Sequence, residues 1–216
     1  MARTLLLTRA LKQAEGFAEL VAQKTDFQCH IAPMQKMQDI PAKIDFSGVD
    51  ALVFTSQNGV ESFVRRWKQG DIPAYCVGPA TAEIAKAAGM LSYAAQGNSA
   101  SLTDLIKNAA VQNPLHIHGQ HKSGGLAIDR HVMIYDQVAL PLATATAQLL
   151  ADGEINAVAL FSPRSAQLLA DVWEANWPAA EFFCISQATA LPVEKLGKIH
   201  VSAEPSAESL LTLLQN

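Results

Sequence analysis

The stretch Leu52–Trp67, LVFTSQNGVESFVRRW, decides the architecture. Asp50–Thr55 reads as a short apolar β-strand, Thr55-Ser56 as a polar turn, and Asn58–Lys68 as a helix with apolar residues at helical spacing. The same strand–turn–helix unit recurs at Ala159–Trp173, ALFSPRSAQLLADVW. Two further blocks follow each copy in the same order. YCVGPATAEIAKAAG from Tyr75 parallels FCISQATALPVEKLG from Phe183, and SASLTDLI from Ser99 parallels SAESLLTLL from Ser206. Spacing is kept as well, with 22 residues from Phe54 to Cys76 and 23 from Phe161 to Cys184. More loosely, LLLTRA from Leu5 matches LHIHGQ from Leu115. A period of about 105 residues is far longer than any solenoid repeat, so it indicates two similar α/β units, about 1–112 and 113–216.

The rest of the chain reads the same way. Strands are expected at Arg3–Thr8, Phe27–Pro33, Ala74–Val77, Leu91–Tyr93, Leu115–His118, His131–Val138, Asn156–Phe161, Glu181–Ile185 and Ile199–Val201, beside Asp50–Thr55. Helical periodicity marks Leu11–Lys24, Thr81–Ala88, Ser101–Val111, Ser165–Trp173 and Glu208–Gln215. Such alternation predicts mostly parallel sheets with helices on both faces. Ten strands exceed the usual number for one open sheet and favour two.

Half of the 216 residues are apolar and 17% are charged, which suits a well-buried core and not a disordered chain. With a formal net charge of −4 there is no global basic field, so nucleic acid is not an expected partner. No apolar run is long enough for a membrane span, and the N-terminal run of three leucines is too short for a secretion signal. Cys29, Cys76 and Cys184 each sit in an apolar strand-like run and read as reduced core thiols. A cytoplasmic monomer is expected.

Ligands of open α/β sheets lie beyond the carboxyl ends of the strands, where helix N-termini gather. Hydroxyl residues and small turns mark those points here: Thr8, Thr55-Ser56, Gly78-Pro79, Ser99, Ser162-Pro163, Ser186 and Ser206. Each can cap a helix, and helix N-termini favour anions, so the two rims suit a ligand with several carboxylates. The pairs Ser56/Ser162 and Thr81/Thr189 occupy matching places in the two repeats. The run HIHGQH, His116 to His121, has no carboxylate or cysteine near it to complete a metal site, and is read as a rim or surface strand. KSGG at Lys122–Gly125 lacks the spacing and order of a phosphate loop, and no dinucleotide fingerprint or nucleophile elbow occurs. No metal or cofactor is expected. Tyr135, in HVMIYDQVAL, is one of three tyrosines and lies near the end of a long apolar strand.

The ordered set FTSQNGV at Phe54, CVGPATAE at Cys76, IYDQV at Ile134, FSPRSA at Phe161 and ATA at Ala188 resembles the motif series of uroporphyrinogen-III synthases, over essentially the whole chain. The opening LLLTRA, with Arg9 after the first strand, also fits. The resemblance implies two flavodoxin-like domains, each a parallel sheet in three layers, joined by a two-stranded ladder near Pro33–Met37 and Val132–Val138. One domain would combine 1–34 with 140–216 and the other would span 35–139, so that each takes parts from both repeats. It further implies an enzyme of tetrapyrrole and heme biosynthesis, a cofactor-free lyase that cyclises hydroxymethylbilane to uroporphyrinogen III. In that reaction water is lost and ring D is inverted through a spiro-pyrrolenine. Tyr135 matches the tyrosine at the family's cleft. Arg9, Thr55, Ser56, Asn58, Thr81, Ser162 and Thr189 would hold the acetate and propionate groups. Two departures stand out: CISQATA at Cys184 lacks the Gly-Pro pair before its threonine, and HGQHKSGG departs from the family's arginine-containing glycine loop. The competing class is a non-catalytic two-lobed protein that closes on a small anion. Exhaustive EDTA treatment is expected to leave activity intact and His118→Ala to keep most of it, as measured by separating uroporphyrin isomers. Zinc-restored activity after chelation would overturn that expectation.

Overall fold

The computed structural model describes residues 3–68, 71–120 and 125–215. Two compact units emerge, Met1–Lys36 with Val138–Asn216, and Met37–Gln137.

The first unit holds β1 (Arg3–Leu7), α1 (Leu11–Lys24) and β2 (Phe27–Ile31) from the chain start. Its later part supplies α5 (Thr144–Ala151), β9 (Ala157–Leu160), α6 (Pro163–Val172), β10 (Ala180–Cys184), α7 (Gln187–Ala190), β11 (Gly197–Val201) and α8 (Ala207–Leu213). The sheet runs β2-β1-β9-β10-β11 and is parallel throughout. Counting strands within the unit gives the flavodoxin order 2-1-3-4-5.

The second unit contains β4 (Ala51–Phe54), α2 (Gln57–Arg66), β5 (Ala74–Cys76), α3 (Pro79–Ala87), β6 (Ser92–Ala94), α4 (Ser99–Asn108), β7 (Pro114–Gly119) and most of β8 (His131–Ala139). Its strands lie β8-β7-β4-β5-β6, again parallel, and β3 (Gln35–Asp39) flanks β8 at the edge. This is the same spatial order with the chain entering at the third strand, a circular permutation of the first unit. The chain passes between the units within β3 and within β8. Those two strands run antiparallel, because Ile40 N–H donates to Ile134 O while Leu140 N–H donates to Met34 O.

Strand composition explains the layering. In β1, Leu5 and Leu7 face one helical layer with Phe17 and Val21 of α1 and Leu210 of α8; Leu6 faces the other, with Ala166 and Leu169 of α6. In β4, Leu52 and Phe54 pack on Val60 and Phe63 of α2, while Ala51 and Val53 pack on Leu102 and Ile106 of α4. A parallel strand covered on both faces has no polar side, so β4 and the Leu5–Leu7 part of β1 are continuously apolar and fully buried. Cys76 and Cys184 lie inside this core, where burial pushes both thiols up to about 12; half-buried Cys29 is pushed up to about 11. They are inert packing groups.

The structure departs from the sequence reading in a few places. The boundary near 112 drawn from the repeat does not divide the fold, since each sheet takes strands from both repeats. α5 and α7 carry no clear helical periodicity, being eight and four residues long. His116 and His118, expected on a rim or surface strand, are each only 5% exposed in β7. His121 and Lys122–Gly124 lie outside the described residues. No described helix is long and apolar enough to cross a membrane.

Gly197 opens β11 opposite Ala180, and a Cβ there would meet the Ala180 carbonyl oxygen at 2.0 Å. Backbone must move to admit any side chain, which opens the β10–β11 ladder. Gly197→Ala is therefore expected to lose stability on the order of 1–3 kcal/mol, read as an earlier midpoint in urea unfolding.

Candidate functional site

In each sheet the strand order reverses direction at one place, leaving a crevice beyond the carboxyl ends of two neighbouring strands. In the first unit it lies between β1 and β9, and in the second between β7 and β4. The residues singled out from the sequence gather at these two points and at the helix starts beside them.

The second unit carries the denser group. Ser56 is the N-cap of α2, and the Gly59 N–H donates to its Oγ at 3.0 Å. That hydroxyl also lies 2.7 Å from the Tyr135 Oη. Tyr135 comes from β8, is 7% exposed, and packs its ring against the core of Phe54, Val60 and Ile117. Burial pushes its phenol up from the ordinary 10.0, and the hydrogen bond with Ser56 partly offsets this. The phenol is therefore protonated at neutral pH, a proton donor held at a helix N-terminus where partial positive charge accumulates. Thr55, half-buried, places Oγ1 3.4 Å from His116 Nε2. Asn58 is half-buried in the first turn of α2. Thr81 lies in the first turn of α3, buried, with its N–H donating to Gly78 O at 3.2 Å. Gly78 caps α3 with no side chain, so the start of this helix is served by main-chain groups alone.

Three histidines line up behind this group. His118 Nδ1–H donates to the Gly119 carbonyl at 2.7 Å, which leaves the Nε2 of the neutral ring to accept from His131 Nδ1 at 3.1 Å. The His116 and His118 rings are 5.1 Å apart between centroids. With both His118 nitrogens engaged, the three rings form a tilted, hydrogen-bonded row whose outer member, His131, is exposed. Among the described residues no group of three or more metal-ligating side chains is placed to hold an ion.

The first unit repeats the capping chemistry. Ser162 caps α6 and accepts from the Ser165 N–H at 3.1 Å. Its Oγ lies 2.8 Å from Ser165 Oγ, which in turn accepts from Gln35 Nε2 at 2.9 Å. Thr189 is fully buried in the first turn of α7, its N–H donating to Ser186 Oγ at 3.3 Å and its hydroxyl 3.0 Å from that same oxygen. Arg9 follows β1, with its guanidinium stacked 4.0 Å above the Phe161 ring across the crevice. Burial lowers its pKa from the ordinary value, yet a guanidinium stays cationic at neutral pH. No carboxylate among the described residues lies within ion-pair range of it. A half-buried cation held by an aromatic face, with no protein counter-ion, suits an anionic ligand.

Sequence reasoning misses two residues of this site. Gly119 reads as a flexible joint, whereas it closes β7 as a buried strand residue directly beneath the Tyr135 ring. Arg66 reads as part of a solvated helix end. Its guanidinium instead donates to the carbonyls of Ile40 and Ile134 and to Ser62 Oγ, pinning the strand that carries Tyr135. The RRW run offers no signal to separate Arg66 from its neighbour Arg65, which pairs with Asp39 at a more exposed position.

Because the folded phenol ionises less readily than an unfolded one, its contribution to stability is fully present below pH 10 and is lost as pH rises through the folded value. Tyr75 shifts the same way by burial. Unfolding stability is thus expected to decline above about pH 10 and to decline less in Tyr135→Phe, as measured by urea titrations across that range.

Known proteins share this fold. The chain is similar to a solved uroporphyrinogen-III synthetase from Helicobacter pylori 26695, at 18% identity, 98% coverage of this chain, 97% of that one and a TM-score of 0.70. A mutant uroporphyrinogen III synthase from the extremely thermophilic bacterium Thermus thermophilus matches at 18% identity, 99% and 96% coverage and a TM-score of 0.58. At this identity the likeness speaks to the fold. No curated protein sequence is detectably similar. The sequence profile described as uroporphyrinogen-III synthase HemD matches residues 16–212, nearly the full length. The chain belongs to the uroporphyrinogen-III synthase family.

Proposed function

We propose that this uroporphyrinogen-III synthase works as a cofactor-independent lyase in which Tyr135 is the proton donor to the departing hydroxyl of hydroxymethylbilane. The observation that carries this reading is the buried phenol, protonated at neutral pH and fixed 2.7 Å from a helix-capping hydroxyl. The pyrrole nitrogen of the substrate pushes electrons toward the hydroxymethyl carbon, the C–O bond breaks, and the phenol proton passes to the oxygen, which leaves as water. The azafulvene cation so formed is attacked by ring D at its substituted carbon, giving the spiro-pyrrolenine. Fragmentation and reclosure invert that ring, and the proton lost to restore aromaticity returns to the Tyr135 phenolate.

Ser56 has a place in the first step. Its Oγ already accepts from the Gly59 N–H, so its own proton is free for the Tyr135 oxygen. With that oxygen accepting from Ser56, the phenol O–H is left to point at substrate. As Tyr135 begins to release its proton, Ser56 and the N-terminus of α2 stabilise the developing negative charge. Such general-acid help contributes roughly 10²–10⁴-fold, and the remainder falls to positioning of the linear chain.

For positioning, the proposal assigns carboxylate anchoring to Arg9 and to the helix starts around Ser162, Thr55, Asn58 and Thr81. Thr189 is better suited to support, because its hydroxyl is turned to Ser186. Arg9 is the one cation in this set, and its lack of an internal counter-ion supports the assignment. The alternative of a non-catalytic anion binder is not favoured by membership of an enzyme family.

Three experiments test the reading. Fed enzymatically made hydroxymethylbilane, the protein is expected to yield uroporphyrin III after oxidation, and isomer I alone would refute the activity. Tyr135→Phe is expected to reduce turnover by roughly 10–10³-fold, shift product toward isomer I, and leave KM little changed. Wild-type turnover with a lower melting temperature would make Tyr135 structural. Arg9→Gln is expected to raise KM with a smaller effect on turnover, since an anchoring charge acts on bound substrate and transition state alike.

A further inference from the structure

We propose that Gly119 is a positioning residue for Tyr135: the missing side chain lets the phenol ring lie flat against β7 with its hydroxyl at Ser56. The inference rests on the reading of Tyr135 as the proton donor and concerns how that donor is aimed.

The β7–β8 ladder pairs His118 with Met133 and then Gly119 with Tyr135, so the register shifts by one residue and Ile134 is left over. Its carbonyl is taken by Arg66 and by the Ile40 N–H, and regular pairing resumes where Gln120 N–H donates to Tyr135 O at 2.9 Å. An extra residue of this kind bends a strand and re-aims the side chain that follows. Here it swings the Tyr135 ring over Gly119. A Cβ built on Gly119 would stand 2.5 Å from Cε2 and Cζ of that ring and 3.0 Å from Cε1. Carbon atoms do not approach so closely, so any side chain at 119 must displace the ring.

Two further observations single out the ring as the reason for the glycine. Gly119 does not have a positive φ, unlike Gly48, Gly89, Gly97 and Gly153, so its backbone suits any residue. The ring, for its part, has little room to yield. Its hydroxyl is tied to Ser56, and Ser56 is tied to the first turn of α2. A Cβ on Gly59 would in turn come within 3.3 Å of Ser56 Oγ, so bare backbone flanks both ends of the Tyr135–Ser56 pair. Moving the ring by about 1 Å breaks the hydrogen bond and misplaces the donor, an error that costs on the order of 10²-fold in rate.

The test is a double-mutant cycle on the full chain, together with a titration of the phenol itself. Gly119→Ala is expected to lower kcat roughly 10–10²-fold with KM nearly unchanged. Combined with Tyr135→Phe it is expected to fall no further than Tyr135→Phe alone, because both changes remove the same function. For the titration, Tyr75→Phe and Tyr93→Phe leave Tyr135 as the last of the chain's three tyrosines. Ultraviolet absorbance then follows its ionisation, and Gly119→Ala is expected to move it back toward the ordinary value as burial is lost. An unchanged titration, or additive losses in the cycle, overturns the proposal. A shifted titration with Tyr135→Phe fully active supports the positioning while removing the proton-donor reading on which its catalytic meaning rests. If Gly119→Ala does not fold, Gly119→Ala with Tyr135→Ala, which removes the ring, is expected to fold. Failure of that double variant shows that something other than the ring demands the glycine and also overturns the proposal.

Discussion

Parallel strands buried on both faces have no side chain to spare for chemistry. In β1, β4 and β9 every residue except Arg3 and Thr4 is buried and apolar, so polar groups enter only where a strand stops and a helix starts. The rest of the molecule follows from that restriction. Hydroxyls cap helices at Ser56, Ser162, Ser186 and Ser206, and the one cation among the candidate residues, Arg9, leans on an aromatic face. Tyr135 is the one candidate residue that reaches the site from within a strand. It does so through an irregular ladder and a neighbour without a side chain.

A site built from a phenol, hydroxyls and helix starts is well matched to a reaction whose driving force lies in the substrate. An electron-rich pyrrole expels its own leaving group, and the protein needs only to assist the departing oxygen and to hold a long, multiply charged chain in one folded shape. Groups that stay neutral at physiological pH serve this end better than strong nucleophiles, which would trap the cation. The three cysteine thiols, the most nucleophilic side chains available, have their pKa values raised by burial, and thiolate formation near neutral pH is suppressed.

Much of this was legible in the sequence, for identifiable reasons. Strand–helix alternation set the fold class because long apolar runs and 3.6-residue periodicity survive without tertiary information, and α1 begins and ends where its pattern does. Ser56 and Ser162 were visible as caps because capping is local. The short α5 and α7, the bulge at Ile134 and the burial of His118 were not visible, since each depends on what packs alongside. Gly119 shows the limit most clearly. From sequence a glycine between two histidines suggests flexibility, whereas the reason for this one stands sixteen residues away on the neighbouring strand. The repeat is real as a repeat and misleading as a boundary, because sequence similarity records which strands are alike and not which ones lie side by side.

The permuted strand order also bears on how the chain is assembled during translation. Every strand of the second unit's parallel sheet lies in one continuous run, so that sheet can form once β8 has left the ribosome. β1 and β2, made first, have to wait for β9, β10 and β11 before their sheet can close. At bacterial or eukaryotic elongation rates the interval between Ile31 and Ala157 is roughly 6–25 s. During it Leu5 and Leu7 have helix α1 for cover, while Leu6 faces the layer of α6, which has yet to be made. Leu6 is thus made early and covered late, and one face of β1 stays open until the C-terminal part of its unit arrives.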